Sequence, residues 1–286
     1  MARFPRNDIM TLTSETPRYD LAESIGPDLA LVELLGAPTD DGLGGLALSY
    51  GTAQGNADLR ALIAGRHGVE ADDVVVTVGG MHALFLIAFI LCDRGDEVVT
   101  TTPSFPLARN ALDVVGATVQ EVPLTFDGGY RLEPEDVAAR LTEKTKLVFL
   151  ASPQNPSGVA IPLDTLRTVL ALMQERCPNA YLLVDETYRE AAYGDDPLCP
   201  TAVGLGLKVI SCASLSKCHG APGLRLGWAI SRDPDLRDQL VVGKFSTVIS
   251  CSAVDEALAC RVLEESERII SERRRRLADG LARTAE

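Results

Sequence analysis

From about residue 72 the chain alternates short, nearly unbroken apolar runs with longer stretches of helical period. The apolar runs predict strands over 74–78, 97–101, 118–122, 146–150, 181–184, 207–213 and 224–230. The periodic stretches between and after them predict helices over 81–92, 107–115, 134–141, 162–176, 233–243 and 254–282. Pro134 is well placed in the first turn of its helix. Strands that are apolar at almost every position need cover on both faces. The expected fold is therefore α/β: three αβα layers around a mostly parallel central sheet. Residues 1–48 carry prolines at 5, 17, 27 and 38 and a glycine-rich end. They read as an irregular arm with one short helix near 28–35. A glycine-broken loop from Tyr50 then runs into an amphipathic helix that starts near Asn56 or Asp58.

Composition narrows the classes of function. The chain has 286 residues, 46% of them hydrophobic and 23% charged, which suits one large domain, or one plus a smaller appendage. The formal net charge of −13 argues against a nucleic-acid or anionic-membrane binder, which needs a basic footprint. Any anionic ligand must then be held by a few local groups. The longest apolar run, Ala83 to Cys92, is about half of the ~20 residues that span a bilayer. The N-terminus lacks an apolar signal core. Seven cysteines without CxxC spacing fit reduced thiols in a cytoplasmic protein and form neither a disulfide framework nor a zinc site.

In a parallel sheet the residues just past the strand ends converge, and here they carry chemistry. Strand 74–78 is followed by Gly79-Gly80-Met81-His82 at a helix start. These glycines make a plain tight turn or a backbone N–H nest for a phosphate. Strand 97–101 leads to Pro103-Ser104-Phe105, where Phe105 is a core residue or a flat plate beside a ligand. Strand 146–150 leads to Asn155-Pro156-Ser157-Gly158, a turn by composition. Strand 181–184 ends on Asp185-Glu186-Thr187-Tyr188, and a carboxylate at the mouth of a buried strand needs a cationic partner. Strand 207–213 delivers Ser214, Ser216 and Lys217, with Arg225 eight residues on. Alone, Lys217 reads as a solvated loop lysine. Burial would instead favour its neutral amine, the form that makes a Schiff base with an aldehyde. Cys218 next to it is a reactive thiol or a small buried filler. His82 contacts a ligand or has a structural part in its helix.

One small molecule needs this whole set: pyridoxal 5′-phosphate. Gly80, Ser214 and Arg225 would take its phosphate, Phe105 its ring and Asp185 its pyridine nitrogen. Asn155 and Tyr188 would meet its phenolic oxygen, and Lys217 its aldehyde. The order Tyr50, Gly55-x-x-x-Leu59-Arg60, Pro103-Ser104-Phe105, Asn155-Pro156-Ser157-Gly158, Asp185-Glu186-Thr187-Tyr188 and Ser214-x-Ser216-Lys217-x₇-Arg225-x-Gly227 resembles the fold-type I pyridoxal-phosphate enzymes. More narrowly, it resembles the class I/II aminotransferases, over roughly residues 20–286. The resemblance implies a lysine Schiff base at Lys217, which also shuttles the α-proton, and ping-pong transfer of an amino group from an amino acid to a keto acid. It implies cofactor contacts from Gly80, Met81, Phe105, Asn155, Asp185, Tyr188, Ser214, Ser216 and Arg225. Tyr50 is expected to reach the phosphate of a neighbouring subunit, which implies a homodimer. The wording Gly220-Ala221-Pro222-Gly223-Leu224-Arg225 is also similar to that of cyclising enzymes of arginine-derived antibiotic pathways.

The resemblance divides the chain into an arm and small-domain segment (1–48), a large cofactor-binding domain (49–253) and the start of a connecting helix (254–286). That helix includes the solvated basic stretch Glu272-Arg273-Arg274-Arg275-Arg276. Family members continue into a small C-terminal domain that supplies the arginine for the substrate α-carboxylate, and no residue here matches it. Other pyridoxal-phosphate reactions (lyase, decarboxylase or cyclase) and a truncated, cofactor-binding form without turnover therefore remain alternatives.

Overall fold

A computed structural model describes residues 50–192 and 198–285. The expected arm over 1–48 and its helix near 28–35 lie outside the described residues. Seven strands form one sheet: β1 (Val74–Val78), β2 (Glu97–Thr102), β3 (Thr118–Pro123), β4 (Thr145–Ala151), β5 (Tyr181–Asp185), β6 (Val209–Ser214) and β7 (Leu226–Ser231), in the order β1-β7-β6-β5-β4-β2-β3. The neighbours from β6 through β3 pair in parallel, whereas β7 runs antiparallel to both β1 and β6. The reversal matters for the site. It brings the start of β7, rather than its end, to the edge where the other strands finish.

Eight helices accompany the sheet among the described residues: α1 (Ala57–His67), α2 (Gly79–Leu91), α3 (Pro106–Val115), α4 (Pro134–Ala138), α5 (Leu163–Arg176), α6 (Pro234–Val248), α7 (Ala253–Glu264) and α8 (Ser266–Ala285). The two faces of the sheet can be read from alternating strand residues. Val75, Phe149, Leu183 and Ala229 face a core built with α2, α3 and α6. Val148, Leu150, Leu182 and Val184 face α5 and Val137 of α4. Val74, Val76, Trp228 and Ile230 face α1 and α7 on the same side as α5. The three-layer αβα arrangement is thus present. The edge strand β3 is largely unburied and carries Gln120, Glu121 and Pro123, which blunt further pairing. No helix of the described residues is long and apolar enough to cross a membrane.

Several boundaries differ from the sequence expectation. α2 begins at Gly79, so the two glycines lie inside its first turn rather than ahead of it. The apolar run from Leu207 enters β6 only at Val209, because Leu207 and Lys208 belong to the approaching turn and Leu207 is exposed. Before β7 the chain makes a 3₁₀ turn over Pro222–Leu224, and Arg225 takes a left-handed conformation (φ 48°). The single helix expected over 254–282 is two, separated at Glu265. Ser266, just beyond the break, is buried and hydrogen-bonded to His219 at 2.8 Å.

β7 meets the start of α2 at Gly227, which pairs with Thr77. A Cβ there would stand 2.5 Å from Gly80 N, 2.6 Å from Gly79 C and 2.8 Å from Ala213 O. All three are backbone atoms, so no side chain can swing aside. Gly227→Ala is expected to cost about 3 kcal/mol and to displace the Gly79–Gly80 turn. Gly204→Ala, where a Cβ meets nothing within 4 Å, is expected to stay within about 0.5 kcal/mol of the parent. Urea denaturation midpoints of the two variants check the contrast.

Candidate active site

At the edge where β4, β5 and β6 end and β7 begins, the surface opens into a cavity of about 220 Å³. Gly80 and Met81 reach it from the start of α2, and Phe105 from the start of α3. Asn155 comes from the loop after β4, and Asp185 and Tyr188 from the end of β5 and its following turn. Ser214, Ser216 and Lys217 come from the end of β6, and Arg225 from the residue before β7. Every cofactor residue expected from the sequence except Tyr50 lines this one cavity. Tyr50 is 81% exposed and does not line this cavity.

Each side chain is delivered by a defined local device. Thr77 donates its hydroxyl to the Gly79 carbonyl at 2.9 Å, which fixes the turn into α2. His82 accepts the Val78 N–H on Nδ1 at 3.3 Å and meets Thr247 of α6 through Nε2 at 3.0 Å. Its part is that of a helix cap, and it does not line the cavity. Burial and nearby Lys244 hold its pKa low, which keeps Nδ1 free to accept. The Asn155 loop is fastened by Gln154, whose buried amide donates to the Pro103 carbonyl at 2.8 Å. Gln154 also closes the turn on itself, accepting the Gly158 N–H at 2.7 Å and donating its own N–H to Val159 O at 2.9 Å. Sequence reading missed Gln154. Its only signal was a polar residue between Pro153 and the Asn155-Pro156 pair.

Asp185 carries the strongest electrostatic demand. It is half-buried in the wall, and desolvation there raises its pKa above the ordinary carboxylate range, opposed by the hydroxyl and N–H of Thr187. The Thr187 N–H donates to Oδ1 at 3.0 Å. Among the described residues Asp185 has no ion-pair partner, so a half-buried, desolvated carboxylate lines the cavity without a described cation. Lys217 is half-buried in the turn after β6. Arg225 gives one N–H to Pro222 O at 3.0 Å and leaves the rest of its guanidinium beside Gly79.

Glu186, the next residue after Asp185, faces the other way. It accepts from Ser211 Oγ at 3.0 Å, Thr201 Oγ1 at 2.9 Å and Ala202 N–H at 2.6 Å. Glu190 grips Arg66 of α1 at 2.6 and 2.9 Å and lies 3.5 Å from His219 Nε2. Burial lowers both His67 and His219 to about 4, so the two imidazoles stay neutral at ordinary pH. This buried polar layer fastens α1 and α8 behind the floor of the site. Sequence reading did not find it.

The donor set suits pyridoxal 5′-phosphate: a primary amine for an aldehyde, a desolvated carboxylate for a pyridinium, and a helix start with a guanidinium beside it for a phosphate. The model for aminotransferase classes I and II matches residues 7–285. The chain belongs to this family. Members of the family depend on pyridoxal 5′-phosphate.

Arginine–pyruvate transaminase of Pseudomonas aeruginosa is 32% identical over 188 residues, 63% of this chain and 47% of that protein. Capreomycidine synthase of Streptomyces vinaceus is 31% identical over 224 residues, 78% of this chain and 57% of that protein. The chain thus spans about half the length of these curated relatives. A pyridoxal-phosphate-dependent aminotransferase from Streptococcus suis 89-1591 superposes with a TM-score of 0.90 over 99% of this chain and 77% of its own, at 24% identity. That likeness bears on the fold.

Proposed function

We propose that this aminotransferase-family chain forms the cofactor-binding part of an enzyme that moves an amino group from an amino acid to a keto acid in two half-reactions. The observation that carries the reading is the half-buried Asp185 carboxylate, without an ion-pair partner among the described residues, in the same cavity as Lys217. When bound, the cofactor supplies an electron sink that weakens the bonds at the substrate's α-carbon. Lys217 Nζ would hold the cofactor at its aldehyde, and as a free amine it would carry the α-proton. Asp185 keeps the ring nitrogen protonated. Asn155 and Tyr188 orient the ring through its phenolic oxygen, and Phe105 covers its face. The Gly80 and Met81 end of α2, Ser214, Ser216 and Arg225 hold the phosphate.

The reading includes a homodimer in which Tyr50 of a second copy reaches the phosphate. Its support is the exposed apolar surface of α2 and α6, where Phe89 is 65%, Val242 58% and Phe245 57% exposed. The two helices pack closely at Gly243, whose Cβ position lies 3.3 Å from Leu86.

A second reading, a cyclase built on the same site, takes up the wording Gly220-Ala221-Pro222-Gly223-Leu224-Arg225 together with the likeness to capreomycidine synthase over 78% of the chain. Single-turnover mixing with a panel of amino acids, without any keto-acid acceptor, separates the two. Aminotransfer predicts keto acid released in proportion to enzyme, with loss of the visible absorbance of the lysine-bound cofactor. A cyclase predicts an altered amino acid, no keto acid and a visible band that returns. Failure to release keto acid from any donor would overturn the first reading.

A further inference from the structure

Between Lys217 and Asp185 lies a contact that the chemistry above does not use. The turn carrying Lys217 is fastened to its own side of the sheet by Leu215 N–H to Leu226 O at 3.1 Å and Ala221 N–H to Leu215 O at 3.1 Å. Gly220 N–H closes the turn on the Lys217 carbonyl at 3.2 Å. These bonds fix the shape of the turn but not its placement against the loop after β5. Cys218 makes that connection: its thiol donates to the Thr187 carbonyl at 3.0 Å, and its sulfur also meets the backbone N–H groups of Glu190 and Ala191 in the same loop. Thr187 in turn donates its N–H to Asp185 Oδ1 at 3.0 Å. The same residue directs its hydroxyl at that carboxylate.

We propose that Cys218 is a positioning residue: its S–H, through Thr187, sets the placement of Asp185 relative to Lys217. The inference rests on the reading that those two residues hold the cofactor. With its N–H and carbonyl both anchored, Thr187 has little freedom left in either backbone dihedral. Its two donors to Asp185 are therefore held together, and so is the backbone of the adjoining Tyr188. Burial pushes the Cys218 thiol up to about 12, so the proton it donates is present throughout the ordinary pH range. The same burial makes it unreactive, which removes the reading of Cys218 as a nucleophile.

Thr187-Tyr188 is the one Thr-Tyr pair in the sequence. Labelling threonine with ¹³C at the carbonyl and tyrosine with ¹⁵N therefore gives a single correlated signal, from the carbonyl that Cys218 contacts. Cys218→Val fills the space without a donor, and Cys218→Ser restores one. In Cys218→Val without cofactor the Thr187 carbonyl signal is expected to move upfield. The cofactor dissociation constant should rise about five-fold, the size of one ordinary hydrogen bond. Cys218→Ser is expected to recover most of both changes.

A Cys218→Val protein with an unmoved carbonyl signal and unchanged affinity would overturn the proposal, as would a serine variant as impaired as valine. If the valine protein does not fold, Cys218→Ala takes its place in the same comparison. Wild-type protein that develops no visible band with pyridoxal 5′-phosphate would sink the reading of Lys217 instead. The carbonyl signal of the cofactor-free chain would still report on Cys218.

Discussion

Lys217→Ala is expected to give a folded protein that binds pyridoxal 5′-phosphate weakly and develops none of the visible absorbance of a lysine-bound cofactor. The side chain is half-buried and makes no hydrogen bond among the described residues, so its removal should shift the melting temperature little. In the proposed function its amine is the nucleophile that fixes the cofactor and the base that carries the α-proton. Losing proton transfer alone removes about 10²–10⁴-fold of rate, and losing covalent attachment adds to that. Absorbance spectra with added cofactor, together with single-turnover keto-acid release, measure both parts. A visible band retained in the alanine variant would place the attachment elsewhere.

The residues most legible in the sequence are those whose position follows from strand direction alone. Asp185 and Lys217 terminate or follow apolar runs, and parallel pairing of β5 and β6 brings their ends together. Asn155 follows from β4 in the same way. Arg225 precedes its strand, and it reaches the cavity because β7 runs antiparallel to β6. The spacing within the Lys217–Arg225 stretch marked it as part of the site without revealing that reversal.

What the sequence hid were contacts made by residues that look polar and loop-like but lie deep inside. Glu190 and Arg66 are 124 positions apart, and nothing in the local pattern pairs them. Glu186 and His219 look like exposed polar residues until α1 and α8 close over them. Helix ends were equally hard to read. The glycines at 79 and 80 are admitted to α2 because Gly227 lets backbone meet backbone, a fact carried by a residue on another strand. The break at Glu265 goes with the buried partnership of Ser266 and His219. Tyr50 belongs to a different case, since its expected partner lies on a second copy of the chain.

Asp185→Asn should separate the cost of the site from its use. Without cofactor the half-buried carboxylate has no ion-pair partner among the described residues, and desolvation raises its pKa. A carboxylate with a raised folded-state pKa destabilises the fold where it is forced to ionise, above that pKa. The penalty disappears as pH falls through the raised value toward the unfolded one, because the acid is then neutral in both states. The cofactor-free asparagine variant is therefore expected to melt higher than wild type at neutral pH, with the gap closing on acidification. With cofactor the order of merit reverses. In the proposed role of Asp185, asparagine cannot keep the ring nitrogen protonated, and turnover should fall by about 10²–10³-fold, the scale for removing one preorganised electrostatic contact. Cofactor-dependent stabilisation should shrink as well, since the charge that favoured binding is gone. Melting temperatures with and without cofactor across pH 4–8, set beside single-turnover rates, test the whole pattern. An apo variant no more stable than wild type would mean that Asp185 already has a cationic partner, and the assignment of this carboxylate to the ring nitrogen would fall.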